Sequence, residues 1–290
     1  MKYCFKKTAV LLFCAAVFFI SCSNKTEHKT DEKINISVSS FVPYTFARSI
    51  LGNSAKLNLL VPPGTEPHAF EPSARDILEV KKAEIFFYVS DIIEPWALKI
   101  DPKGEMLAKH LPQVLLHDPH VWMNFDNADK MASNLAGYII KKYPALEKQV
   151  TENYLKFSSE IKELKSLYSK VLPACKERTI YHVGHLAFGY IASDFGFNFK
   201  ALFSADMDQE PSAKEVALLV KSIRDNKVKY IFSEEQLNPA LANTISKETG
   251  AKILILNTIE GISKEDFTAG KNYQDLMRGN LENLVLGLNC

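Results

Sequence analysis

Short apolar runs separated by longer mixed stretches set the rhythm of this chain. Eight β-rich runs recur: Ile34–Val38, Leu57–Val61, Ile85–Val89, Gln113–Leu116, Thr179–Val183, Asn198–Phe203, Val228–Phe232 and Ile253–Leu256. Helix-like segments fill most of the gaps. Continuous apolar runs alternating with helices point to parallel strands covered on both faces. Four units precede residue 144 and four follow residue 172. Between them Val150, Tyr154, Phe157, Ile161, Leu164, Tyr168 and Val171 alternate steps of four and three, which is one helical face. No glycine or proline interrupts residues 145–172, so this spacing predicts one stiff rod of roughly 42 Å at 1.5 Å per residue. A rod of this kind resists the wide hinge motion that loop-linked lobes allow. The pattern therefore predicts an α/β fold of two lobes, each with a roughly four-stranded parallel sheet flanked by helices. The N-terminal lobe spans 34–144, the linking helix 145–172 and the C-terminal lobe 173–290. The halves also echo each other, EPSARDILEV from Glu71 against EPSAKEVALL from Glu210. In each, the proline and the acid beside it suit the first turn of a helix.

The first 21 residues stand outside this rhythm. MKYCFKK is a basic start and TAVLLFCAAVFFI is an apolar run too short for a comfortable membrane span, which together read as an export signal. The run ends at Ser21-Cys22, which resembles a bacterial lipobox with Phe19 in place of the usual leucine; a plain signal peptide is the alternative. Lipidation of Cys22 would anchor the protein to a membrane, with residues 22–33 as a tether, in the periplasm or at the cell surface.

Composition narrows the function. Of 290 residues 47% are hydrophobic and 24% charged, enough apolar mass for one or two cores. Net charge is +1, and losing Lys2, Lys6 and Lys7 with the signal makes it −2. With no basic stripe, nucleic acid is excluded as a partner. Of five cysteines, only Cys175 and Cys290 remain to pair once Cys4, Cys14 and Cys22 are set aside, and the sequence leaves that pairing open.

In open parallel sheets, ligands bind beyond the carboxyl ends of the strands. His68 follows the second predicted strand, His120 the fourth and His185 the fifth, while Asn257 and Glu260 follow the eighth. Three neutral imidazoles with an oxygen donor suit a divalent ion, Zn²⁺ before Mn²⁺. Pro62, Pro63 and Pro67 narrow the freedom of the His68 loop, so less entropy is lost when the ring takes up a metal. His28, His110, His117 and His182 are not read as ligands. His182 lies inside the fifth strand, and His117 is the nearest substitute for His120.

PPGTEPHAFEPS, DPHVWMN, HLAFGYIASDFG and EPSAKEV, in this order and at these separations, resemble the metal-binding solute-binding lipoproteins of bacterial ATP-binding-cassette importers for zinc and manganese, in particular the zinc type of cluster A-I. The resemblance runs from about Ile34 to the C-terminus. It implies two α/β lobes joined by one long helix, a single ion in the cleft and delivery of that ion to a membrane permease by a monomeric, non-enzymatic protein. Carried over by motif, the ligands are His68, His120 and His185. A histidine at the third position is similar to the zinc members, since the manganese members tend to have glutamate there. Where many relatives carry an aspartate, this chain reads Leu256-Asn257-Thr258-Ile259-Glu260. The fourth donor is accordingly Asn257, Glu260, Glu66 or a water, with Asn257 or water ranked ahead because Glu260 needs a one-turn displacement. The long histidine-rich loop that many zinc members carry before DPH is absent. Glu210, Arg75 and Asp76 resemble residues near the family's cleft but equally suit helix starts or the surface. Trp122 is read as packing beneath its loop, and Asp206 and Asp208 as a solvated acidic loop. Two competing functions remain. A His₃–water site also serves zinc hydrolases and hydratases, although no HExxH-like motif places a general base. A surface adhesin fits the same scaffold.

Overall fold

The computed structural model describes residues 33–204 and 211–290. The export segment 1–21, Cys22, tether residues 23–32, and Asp206, Asp208 and Glu210 lie outside the described residues. The first half runs β1 (Ile34–Val38), α1 (Phe41–Leu51), β2 (Ala55–Leu59), α2 (Ala74–Lys82), β3 (Ile85–Tyr88), α3 (Ala97–Ile100), β4 (Glu105–Met106) and α4 (Phe125–Lys142). After α5 (Glu147–Val171) the second half runs β5 (Thr179–Val183), α6 (Gly189–Phe195), β6 (Asn198–Ala201), α7 (Ala213–Asp225), β7 (Tyr230–Glu234), α8 (Ala240–Thr249), β8 (Lys252–Leu256), α9 (Lys264–Thr268) and α10 (Tyr273–Gly287).

Two four-stranded sheets result, ordered β2-β1-β3-β4 and β6-β5-β7-β8, with every pairing parallel. The orders match, so the two halves repeat one topology. The described parts of the echoed segments fall at the same place in each, with Ser73 and Ser212 opening the helix after the outer strand. Ser73 with Asp76 and Ser212 with Glu215 form reciprocal capping boxes that satisfy the free N–H groups of α2 and α7. This accounts for Asp76 as a helix-start residue.

One predicted strand is corrected. Gln113–Leu116 forms no strand, only an isolated bridge from Leu115 to Asp118, and the fourth strand is the two-residue β4. The backbone of the predicted segment is satisfied elsewhere. Asn127 of α4 bonds both the N–H and the carbonyl of Gln113, and the Leu115 N–H donates to the Tyr190 hydroxyl. Leu116 is left 89% exposed, so this apolar run belongs to no sheet face.

The long helix runs 25 residues as α5, flanked by 3-10 turns at Pro144–Leu146 and Leu172–Ala174. Val150, Phe157, Ile161, Leu164 and Tyr168 are its buried stripe, packed against α1, α4 and α10. The periodicity that predicted the rod is therefore the face that enters the core. One apolar cluster continues from Ile36 in β1 through Leu164 to Phe232 and Leu256 in the second sheet. Lys33–Cys290 accordingly forms a single compact unit. Tyr273, at the start of α10, reaches back to the first half: its N–H donates to Thr45 Oγ1 and its hydroxyl to the Trp122 carbonyl. Cys175 and Cys290 are joined by a disulfide that ties the chain end to the entry of β5.

Candidate metal centre

Each histidine is held by a different device. His68 sits in the 3-10 turn Pro67–Ala69, where Pro67 starts the turn and the Glu66 carboxylate accepts the His68 N–H at 3.3 Å. In Asp118-Pro119-His120, Asp118 Oδ1 takes the His120 N–H at 3.0 Å and ring Nδ1 at 2.8 Å. The other oxygen, Oδ2, accepts the Gly189 N–H at 2.9 Å. His185 follows β5. Glu234, the last residue of β7, accepts its backbone N–H at 2.6 Å and pairs with its Nδ1 at 2.8 Å. Gly184 makes that approach possible, since a Cβ there would stand 2.0 Å from Glu234 Oε1. For His120 and His185 the carboxylate fixes Nδ1 as donor and turns Nε2 inward, where it can bind a metal once it is free of a proton.

Those inward nitrogens converge with Glu260. One donor atom from each of His68, His120, His185 and Glu260 lies within 4.8 Å of all the others. His120 Nε2 and His185 Nε2 are 3.0 Å apart, while Glu260 Oε2 is 3.1 Å from His68 Nε2 and 3.6 Å from His120 Nε2. Bonds of roughly 2.0–2.1 Å to a tetrahedral Zn²⁺ give an edge of about 3.3 Å, which these separations bracket. His68 Nε2 and Glu260 Oε2 meet as an ion-pair contact, and among the described residues neither buried atom has a hydrogen-bond partner. Two orphaned polar atoms aimed at a shared point fit a cation between them.

Asn257, ranked ahead of Glu260 on sequence grounds, has both ends of its side-chain amide engaged within its own neighbourhood. Its Oδ1 accepts the Ile259 N–H at 2.7 Å and its amide donates to Glu235 at 2.9 Å. Asn257 thus builds the turn, and its Oδ1 is already taken by a backbone N–H. Ile259 takes φ +64°, which a β-branched residue adopts only under strong local constraint, and this left-handed step turns Glu260 inward. Three other segments clamp the same turn. Phe41 N–H donates to the Glu260 carbonyl at 3.2 Å, Gly64 N–H to that of Ile262 at 2.7 Å, and Trp122 Nε1 to that of Thr258 at 2.7 Å. Trp122 is fully buried and packs edge-on to the His120 ring, the packing role expected of it.

Charge is concentrated around the cluster. Burial disfavours a charged His120, yet Asp118 and Glu260 outweigh it and push its pKa up to about 9. His68 shifts upward too, its burial overcome by the Glu260 carboxylate. Glu260 is held well below the usual carboxylate range, because His120 and His68 more than offset its burial. Glu66, pushed up to about 7 by burial and by Glu260, stands behind His68 outside the converging set. His182 is buried with Nδ1 on the His185 carbonyl, and burial lowers its pKa to about 4. His117 is exposed. Sequence reasoning missed Asp118 and Glu234. An acid two residues before His120 and an acid at the carboxyl end of a predicted central strand were the available signals.

A family model for the periplasmic component A of zinc-uptake complexes, ZnuA, matches residues 36–287. The chain is 32% identical over 305 residues to the zinc-binding lipoprotein AdcA of Streptococcus pneumoniae, covering 96% of this chain and 60% of AdcA, so it spans about three-fifths of that relative. It is 30% identical over 311 residues to the high-affinity zinc uptake system protein ZnuA of Bacillus subtilis, covering 97% of each. Among solved structures, the Zn(II)-bound ZnuA-like domain of S. pneumoniae AdcA matches with TM-score 0.78 and 32% identity, over 89% of this chain and all of that one. The laminin-binding protein Lmb of Streptococcus agalactiae, described as an adhesin with metal-transporting activity, matches with TM-score 0.81 and 28% identity, over 89% and 100%. With its repeated parallel sheets and its long helix matched across nearly all of the described residues, this chain belongs to the ZnuA family of zinc-uptake components.

Proposed function

We propose that this protein captures one Zn²⁺ outside the cytoplasm and delivers it to the membrane permease of an ATP-binding-cassette importer, anchored through a lipid on Cys22. The ligands in this reading are Nε2 of His68, His120 and His185 and the Glu260 carboxylate. The observation that carries it is the convergence of four donor atoms, two of them buried without hydrogen-bond partners. Three imidazoles and one carboxylate suit zinc, whereas manganese favours more oxygen donors and a higher coordination number. His120 and His185 are at most 1% exposed and each is oriented by a carboxylate, so their nitrogens meet the ion without reorganisation. His68, with 14% of its side chain exposed, is the ligand nearest solvent and the point of entry and exit.

Four protein donors close a tetrahedron, which is the arrangement of a holding site; a hydrolase keeps the fourth position open for water. This favours transport over zinc hydrolysis. The adhesin reading rests on likeness of scaffold and gains no support from the cluster. The test is metal analysis of protein purified without chelators. It should hold one zinc per chain, and His68→Ala should weaken zinc binding by at least about a hundredfold, since a ligand is lost outright. Ester or CO₂ turnover by the zinc-loaded protein would overturn the assignment.

A further inference from the structure

Glu94 stands apart from the four converging donors, and zinc capture as described makes no use of it. It is 3% exposed. Its Oε1 accepts Ser39 Oγ at 2.6 Å and Ser40 Oγ at 3.2 Å, and its Oε2 accepts the N–H groups of Val89 at 3.1 Å and Ser90 at 3.0 Å. A carboxylate this deeply buried persists only with such bonds, and they in turn hold the donors in place. The donors belong to the segments leaving β1 and β3. One residue beyond Ser40, the Phe41 N–H bonds the Glu260 carbonyl.

The second half contains the counterpart. β3 and β7 occupy the same place in their sheets, as do β1 and β5. Glu234 at the end of β7 grips His185 after β5, just as Glu94 after β3 grips Ser39 and Ser40 after β1. One brace acts on a ligand directly, and the other acts on the segment that holds a ligand's backbone.

We propose that Glu94 is a positioning residue of the metal centre, aiming Glu260 through Ser39, Ser40 and Phe41. The left-handed Ile259 makes this aim depend on bonds from outside the turn, and the Phe41 N–H is the one made to Glu260 itself. Burial pushes the Glu94 carboxyl up to about 7, against the pull of the Ser39 and Ser90 bonds. A neutral amide of the same shape fits the cradle, because its oxygen takes the two N–H groups while the serine hydroxyls rotate to accept.

The inference rests on zinc capture at this site, and the experiment separates the two. Zinc affinity by chelator competition and the visible spectrum of the Co²⁺-loaded protein are measured for wild type, Glu94→Ala, Glu94→Gln and the double variant Ser39→Ala/Ser40→Ala. Glu94→Ala and the serine pair should each weaken zinc binding by roughly 10- to 100-fold, alter the Co²⁺ bands, and combine with less than additive effect. Glu94→Gln should restore affinity to within about threefold of wild type, as its contacts are kept. Tyr168→Phe, which removes the buried hydroxyl bond to the Met277 carbonyl, should lower the melting temperature and leave affinity and spectrum unchanged. If wild type binds zinc and Glu94→Ala binds it equally with the same Co²⁺ spectrum, the positioning role is overturned. If wild type binds no zinc, the capture reading itself fails. Should Glu94→Ala not fold, the serine pair, which keeps the bonds from Val89 and Ser90, decides the question by the same criteria.

Discussion

The charge on His120 is set by its neighbours, and that sets how tightly protons compete with the metal. Its pKa stands near 9 against an ordinary 6.5, so at neutral pH the metal-free ring carries a proton that zinc must displace. Zinc affinity should accordingly rise at least about tenfold per pH unit between pH 7 and 8, His120 releasing one proton per ion and the upward-shifted His68 adding to it. It should fall away more steeply below about pH 5.5, where protons compete more strongly for imidazole nitrogens. Affinity that stays flat from pH 7 to 8 would contradict the assignment of His120 as a ligand. The same shift has the opposite sign for the metal-free fold. A raised histidine pKa contributes stability that is complete below about 6.5 and is lost as pH rises through about 9. The lowered Glu260 contributes stability above the usual carboxylate range that is lost as pH falls. Three of the four residues in the cluster were legible because loop histidines beyond strand ends announce themselves. Glu260 was not ranked first because a regular loop would carry it a turn away. The left-handed Ile259 and the Asn257 side chain redirect it, and neither is visible as a pattern.

Among the elements, seven of the eight expected strand regions carry strands, and the long helix ends within two residues of its expected bounds. The exception has a physical cause. β4 is two residues long, too short to show a period, while the segment Gln113–Leu116 is tied to α4 and α6 by side-chain bonds to the backbone of Gln113 and Leu115. The Cys175–Cys290 disulfide was also beyond the sequence, since pairing depends on α10 returning the chain end to β5. Lys176 and Glu177 donate their N–H groups to Asn289 and Leu288, so the ends lie side by side. Closing 115 residues of chain stabilises by about 4.8 kcal/mol in the chain-entropy account, and typical measured values are about 2–4. Cys290→Ser should therefore lower the melting temperature by roughly 5–15 °C. Zinc affinity should not change, because this bond is remote from the cluster. A loss of affinity with unchanged melting temperature would contradict that division of roles.

At the scale of the whole molecule, the two repeated sheets behave as halves of one body. Besides the shared core around α5, bonds cross between the halves at Phe41–Glu260, Gly64–Ile262, Trp122–Thr258, Asp118–Gly189 and Asn124–Asp194. Most of these adjoin a residue of the cluster, so the bonds that join the halves also shape the site. The account stands on that convergence, and a crystal structure of the zinc-loaded protein with anomalous data at the zinc edge tests it most directly. The predicted result is one peak bonded to Nε2 of His68, His120 and His185 and to a Glu260 oxygen, at roughly 2.0–2.2 Å each. A peak bound by Asn257 or a water in place of Glu260, or one lying away from the three imidazoles, would contradict it.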